Sequence, residues 1–95
     1  MKIKLFFITL VFTQILIAQN DTTYYFNGSV KEYGENCDNK RSGEWKQLYN
    51  NGILFKIGTY SNGLKSGEWK VYDGKGIIRG IGQYANGERL GEWKF

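Results

Sequence analysis

The stretch GEWKVYDGKGIIRGIGQYANG, residues 67–87, decides the fold. It opens on Gly67-Glu68-Trp69-Lys70, a tetrapeptide that also starts at Gly43 and at Gly91, each copy 24 residues after the last. Superposing residues 43–66 on 67–90 gives 11 identities in 24 positions without a gap. A fixed period of this kind marks a repeat array, in which each unit buries little alone and gains its stability from its neighbours.

Each unit reads as a β-hairpin. Aromatic and β-branched residues gather in the runs 43–49, 53–60, 67–72, 77–84 and 91–95, which are the expected strands. Between them stand Asn51-Gly52, Asn62-Gly63, Asp73-Gly74 and Asn86-Gly87, dipeptides that accept positive φ and close tight turns. A helix is excluded, because every glycine in its interior would cost about 1 kcal/mol. No continuous apolar segment offers a second layer.

Strand parity predicts the faces. Trp45, Trp69 and Trp93 hold the same phase of equivalent strands and should form a ladder on one side of the sheet. Ile57 and Ile81 form a second row, with Tyr60 and Tyr84 on the opposite parity. Gly58 and Gly82, two residues before those tyrosines, leave room for an aromatic ring to lie flat on the sheet.

Working outward, whole units occupy 43–66 and 67–90, with half units at 26–42 and 91–95. Phe26–Tyr33 matches the second half of a unit. Tyr33 to Gly43 then spans ten residues where Tyr60 to Gly67 spans seven, which implies a three-residue insertion in a loop carrying Cys37. Residues 19–25 read as a short linker. Residues 1–18 carry Lys2 and Lys4 ahead of an apolar run, Leu5 to Ala18, too short for an ordinary spanning helix and suited to a helical signal peptide. Export to the periplasm, outer membrane or exterior is therefore expected, with an uncleaved anchor as the alternative.

The repeat, as it stands in residues 67–87, resembles the MORN repeat, and more closely its bacterial variant with the pattern G-x-W-x-x-Y … N-G-x-x-x-G-x-W. The resemblance covers roughly residues 26–95. It implies an all-β, single-layer, elongated antiparallel sheet of stacked hairpins. It also implies a scaffold, a protein-binding surface or a lipid-contact surface, and some similar proteins are described as antitoxin-like.

The composition argues against catalysis. The chain has no histidine, so the commonest general base and metal ligand are both missing, and Cys37 has no imidazole to activate it. Glu44, Glu68 and Glu92 recur at the repeat period beside Lys46, Lys70 and Lys94, which reads as structural or solvent-facing charge pairing. The glycines from Gly74 to Gly82 do not lie between a strand and a helix, so no phosphate loop is supported. No catalytic residue, metal or cofactor is expected. Without Lys2 and Lys4 the chain carries 11 Lys plus Arg against 9 Asp plus Glu, an ordinary surface and no sign of a nucleic-acid partner.

What remains is binding. The candidate surface is Trp45, Trp69, Trp93, Tyr60, Tyr84, Lys46 and Lys70, offered to a protein partner or to an envelope glycan or lipid. The competing reading of the tryptophans is packing within the sheet. Cys37, the lone cysteine, could link two copies by a disulfide. The strand 91–95 is an expected edge, open to homodimer formation and partly guarded by Glu92 and Lys94.

Overall fold

A computed structural model describes residues 18–95, so residues 1–17 of the expected signal helix lie outside the described residues, and Ala18, its last, begins a strand. Seven strands follow one another: β1 (Ala18–Tyr24), β2 (Val30–Cys37), β3 (Lys40–Leu48), β4 (Leu54–Ser61), β5 (Leu64–Tyr72), β6 (Ile78–Ala85) and β7 (Glu88–Lys94). They form one sheet in chain order, every neighbouring pair antiparallel, with β1 and β7 at its open edges. The expected all-β, single-layer antiparallel sheet is what the chain forms.

Two kinds of turn alternate. At one end, Asp38-Asn39, Asn62-Gly63 and Asn86-Gly87 join strands directly, all six residues at φ between 51° and 85°. Positive φ at both central positions matches the twist of the flanking strands, which is why Asn, Asp and Gly fill them. At the other end lie longer turns, in which the N–H groups of Gly28, Gly52 and Gly76 donate to the carbonyls of Tyr25, Tyr49 and Asp73 at 2.9–3.0 Å.

Four expectations need correcting. Asn51-Gly52 and Asp73-Gly74 do not close two-residue turns: within the longer turns positive φ falls on Gly52, at 90°, and on Gly76, at 84°. The residues read as a linker, 19–25, instead supply β1 and the start of its turn, because Asn20 to Thr23 pair with Glu35 to Glu32. The three-residue insertion is not there. Gly34 and Asp38-Asn39 stand 24 residues before Gly58 and Asn62-Gly63, so the period runs unbroken, and Cys37 ends β2 instead of lying in a loop. Finally, β3, β5 and β7 begin at Lys40, Leu64 and Glu88, not at the glycines of the repeated tetrapeptide.

Those glycines sit inside the strands as bulges. Thr59 pairs with Ser66 and Ile57 with Lys70, so Gly67, Glu68 and Trp69 share the space opposite Gly58 alone. The same irregularity recurs where β3 meets β2 and where β7 meets β6. Gly43, Gly67 and Gly91 adopt φ of 69°, 70° and 62°, a conformation glycine enters without a Cβ penalty. The bulge turns each tryptophan back over the preceding strand. Trp45 and Trp69, at 3% and 5% exposure, are the buried hydrophobic core of the described residues.

Candidate functional site

The tryptophans do form a row, and tyrosines interleave with it on the same face. Tyr60 stands edge-on between Trp45 and Trp69, with ring centroids at 6.1 and 5.3 Å. Tyr84 stands likewise between Trp69 and Trp93, at 6.0 and 5.4 Å. Such edge-to-face pairs add about 0.5–1.5 kcal/mol each beyond the area they bury.

Each indole lies on a glycine. A Cβ built on Gly34, Gly58 or Gly82 would run into the ring of Trp45, Trp69 or Trp93 respectively. The indole N–H groups of Trp45 and Trp69 donate to the carbonyls of Glu35 and Thr59 at 2.8 and 3.1 Å. The Trp93 indole N–H is buried without a partner.

A cation covers each ring. Arg41 lies 4.2 Å from the ring centre of Trp45, Lys65 lies 4.9 Å from Trp69, and Arg89 lies 4.8 Å from Trp93. Arg41 and Lys65 also reach Tyr60 and Tyr84. Arg41 is further held by a two-point hydrogen bond to Glu32 at 2.8 and 2.9 Å. Burial alone would lower the Arg41 pKa, but the bonds to Glu32 and Tyr60 outweigh it and raise the value. The guanidinium is therefore a fixed positive charge on this face.

Lys46 and Lys70 are elsewhere. Register places Tyr33, Lys46, Ile57, Lys70, Ile81 and Lys94 in one line across the other face. The lysines approach Glu44 and Glu68 of their own strands, at 3.9 and 3.7 Å, with exposed side chains. Exposed pairs of this sort contribute about 0–1 kcal/mol. The seven candidate residues thus divide into a packed aromatic row and a charge-balanced lysine row, and they do not converge on one surface.

Reading by identity missed the cations Arg41, Lys65 and Arg89, although they recur 24 residues apart. It also missed two tyrosines at the longer turns. Tyr25 and Tyr49 donate their hydroxyls to the carbonyls of Leu48 and Tyr72, at 2.6 and 2.8 Å, and so tie each unit to the next. In the third copy Asp73 takes that place and binds its own turn, accepting from the N–H groups of Lys75 and Ile77 at 2.9 and 3.0 Å.

Beside the row, the depression among Glu32, Lys56, Tyr60 and Lys65 encloses about 40 Å³, and an open groove lined by Cys37, Arg41, Ser42 and Tyr60 encloses about 290 Å³. Among the described residues no group of three His, Cys, Asp or Glu is placed to hold a metal ion, and no helix is long and apolar enough to cross a membrane. Fold and site together define a single-layer β-repeat sheet with a cation-covered aromatic row. Comparison with protein-family models, curated proteins and solved structures gave no match.

Proposed function

We propose that this chain is an exported, non-catalytic β-repeat module of the MORN type that presents a rigid surface to a protein partner. The observation that carries this reading is the distribution of exposed apolar side chains. The tryptophans are spent on packing, while Tyr24 (62% exposed), Phe26 (fully exposed), Ile77 (54%) and Ile78 (43%) lie at the longer turns; Tyr33, Leu64, Leu90 and Phe95 are exposed elsewhere on the sheet. Large apolar groups exposed along the rim of a hydrogen-bonded sheet are the usual material of a protein interface. The run from Leu5 to Ala18 behind Lys2 and Lys4, which reads as a leader, supports export.

The test uses recovery of partners from the envelope fraction, with folding checked by circular dichroism. A Phe26→Asp, Ile77→Asp double variant should lose the bound protein, whereas Lys46→Glu on the other face should keep it. Equal recovery by both would defeat the reading.

One observation favours a second reading, an anionic envelope surface. Arg41, Lys65 and Arg89 repeat along one face, and each basic residue near an anionic surface contributes about 1 kcal/mol. Sedimentation with anionic liposomes and with cell-wall sacculi checks it. Binding lost in a Lys65→Gln, Arg89→Gln variant would move this reading ahead of the first.

A further inference from the structure

Among the described residues the outer side of β7 has no neighbour in the sheet, and the repeat itself states what a neighbour there must carry. Where β6 lies against β5, Gly67 faces Tyr84, Glu68 faces Gln83 and Trp69 faces Gly82. Where β4 lies against β3, Gly43 faces Tyr60, Glu44 faces Thr59 and Trp45 faces Gly58. In both cases a Gly-x-Trp segment is matched, antiparallel, by a Gly-x-Tyr segment. The tyrosine ring then falls diagonally beside the indole, within reach of an aromatic pair.

On β7 the waiting segment is Gly91-Glu92-Trp93. This segment is itself glycine, any residue, aromatic, so it satisfies its own requirement. We infer that β7 pairs with β7 of a second copy, antiparallel and in a register centred on Glu92.

In that register Gly91 faces Trp93 of the second copy, and Trp93 faces its Gly91. The two indoles take the diagonal relation that Trp69 holds to Tyr84. On the other face Lys94 meets Leu90 of the second copy, which continues the alternation of lysine and isoleucine in Lys46, Ile57, Lys70, Ile81 and Lys94. The exposures agree with a missing neighbour. Leu90 and Phe95 are 53% and 89% exposed, and Trp93 keeps more solvent contact than the buried Trp45 and Trp69. A two-fold axis perpendicular to the sheet relates the copies, so both aromatic rows lie on one face of a continuous sheet.

One pair opposes this contact. Glu92 faces Glu92 of the second copy, where inside the chain Glu68 faces the neutral Gln83. Like charges directly opposite weaken a strand pair. This makes the register testable, because a neutral residue at that one position should strengthen the dimer.

The experiment takes the full chain and follows its mass by sedimentation over a concentration series. Glu92→Gln should tighten dimerisation by about fivefold. Leu90→Asp should shift the protein toward monomer with its circular dichroism unchanged. In a Cys37→Ser background, Glu92→Cys should form a disulfide dimer under mild oxidation, and Asn20→Cys on the β1 edge should not. Wild type and Glu92→Gln that stay monomeric throughout would overturn the inference. So would cross-linking through β1 instead of β7. Loss of the protein partner proposed above would leave these results unchanged, so the two readings fail separately.

Discussion

The indole of Trp69 lies flat on Gly58 of the strand before it, where even one carbon atom on the glycine would enter the ring. Gly58→Ala must therefore lift the indole off the sheet, breaking its bond to the Thr59 carbonyl and its contact with Tyr60. The expected loss is about 3 kcal/mol by urea denaturation, near the top of the range for overpacking. Gly74→Ala is the control, since nothing lies within 4 Å of its added carbon and it needs no positive φ. It should change stability by less than about 0.5 kcal/mol.

Position along the ladder decides how much a tryptophan matters. Trp69 has a tyrosine on each side, whereas Trp93 has Tyr84 on one side and Phe95 stacked against it at 6.4 Å. Trp69→Ala should cost about 3–5 kcal/mol, as expected for a buried aromatic, and Trp93→Ala distinctly less. Equal losses in thermal denaturation would contradict this ordering.

The hydroxyl of Tyr49 joins one unit to the next through the Tyr72 carbonyl at 2.8 Å, as Tyr25 does through Leu48. Tyr49→Phe keeps the ring against Phe55 and removes only that bond. The cost should be about 1 kcal/mol. Adding Tyr25→Phe should cost about 1 kcal/mol for its own bond, and because that bond ends on Leu48, next to Tyr49 in the chain, the double variant measures the coupling between the two. Chemical denaturation of the two single variants and the double variant checks both statements.

Asp73 gives the fold an acid sensitivity. The N–H groups of Ile77 and Lys75 bind its carboxylate, and Arg79 at 2.9 Å adds to them, so its pKa lies below the usual carboxylate value. A depressed carboxylate stabilises the folded state fully above its unfolded pKa, about 4, and that contribution is lost as pH falls through the lower folded value. Wild type should therefore lose stability on acidification below about pH 4 that Asp73→Asn does not lose. Melting temperatures of the two proteins at pH 5 and pH 3 decide it.

The sequence made the sheet legible because its period is carried by residues the geometry cannot replace. Glycines 58 and 82 must admit a ring, Asn62 and Asn86 must take positive φ, and the tryptophans fill the space. Strand starts were not legible, because a glycine in a bulge looks like a glycine in a turn. Gly67 lies inside β5, three residues after its first residue, Leu64. The first copy was hidden for another reason. It keeps Tyr25, Gly28, Gly34 and the Asp38-Asn39 turn, yet places Asp21 where the later copies have tryptophan. The cationic cover was missed because Arg41, Lys65 and Arg89 share charge rather than identity. The division of Lys46 and Lys70 from the aromatic row follows directly from strand parity.

Nuclear magnetic resonance of the glycine Hα protons tests most directly whether the aromatic row is spent on the sheet. With an indole on each of Gly34, Gly58 and Gly82, their Hα resonances should be shifted strongly upfield, with cross-relaxation to the rings of Trp45, Trp69 and Trp93. Those of Gly28, Gly52 and Gly74, which have nothing near them, should keep ordinary values. Ordinary shifts at all six glycines would mean that the indoles stand free of the sheet, and the packing account would be wrong.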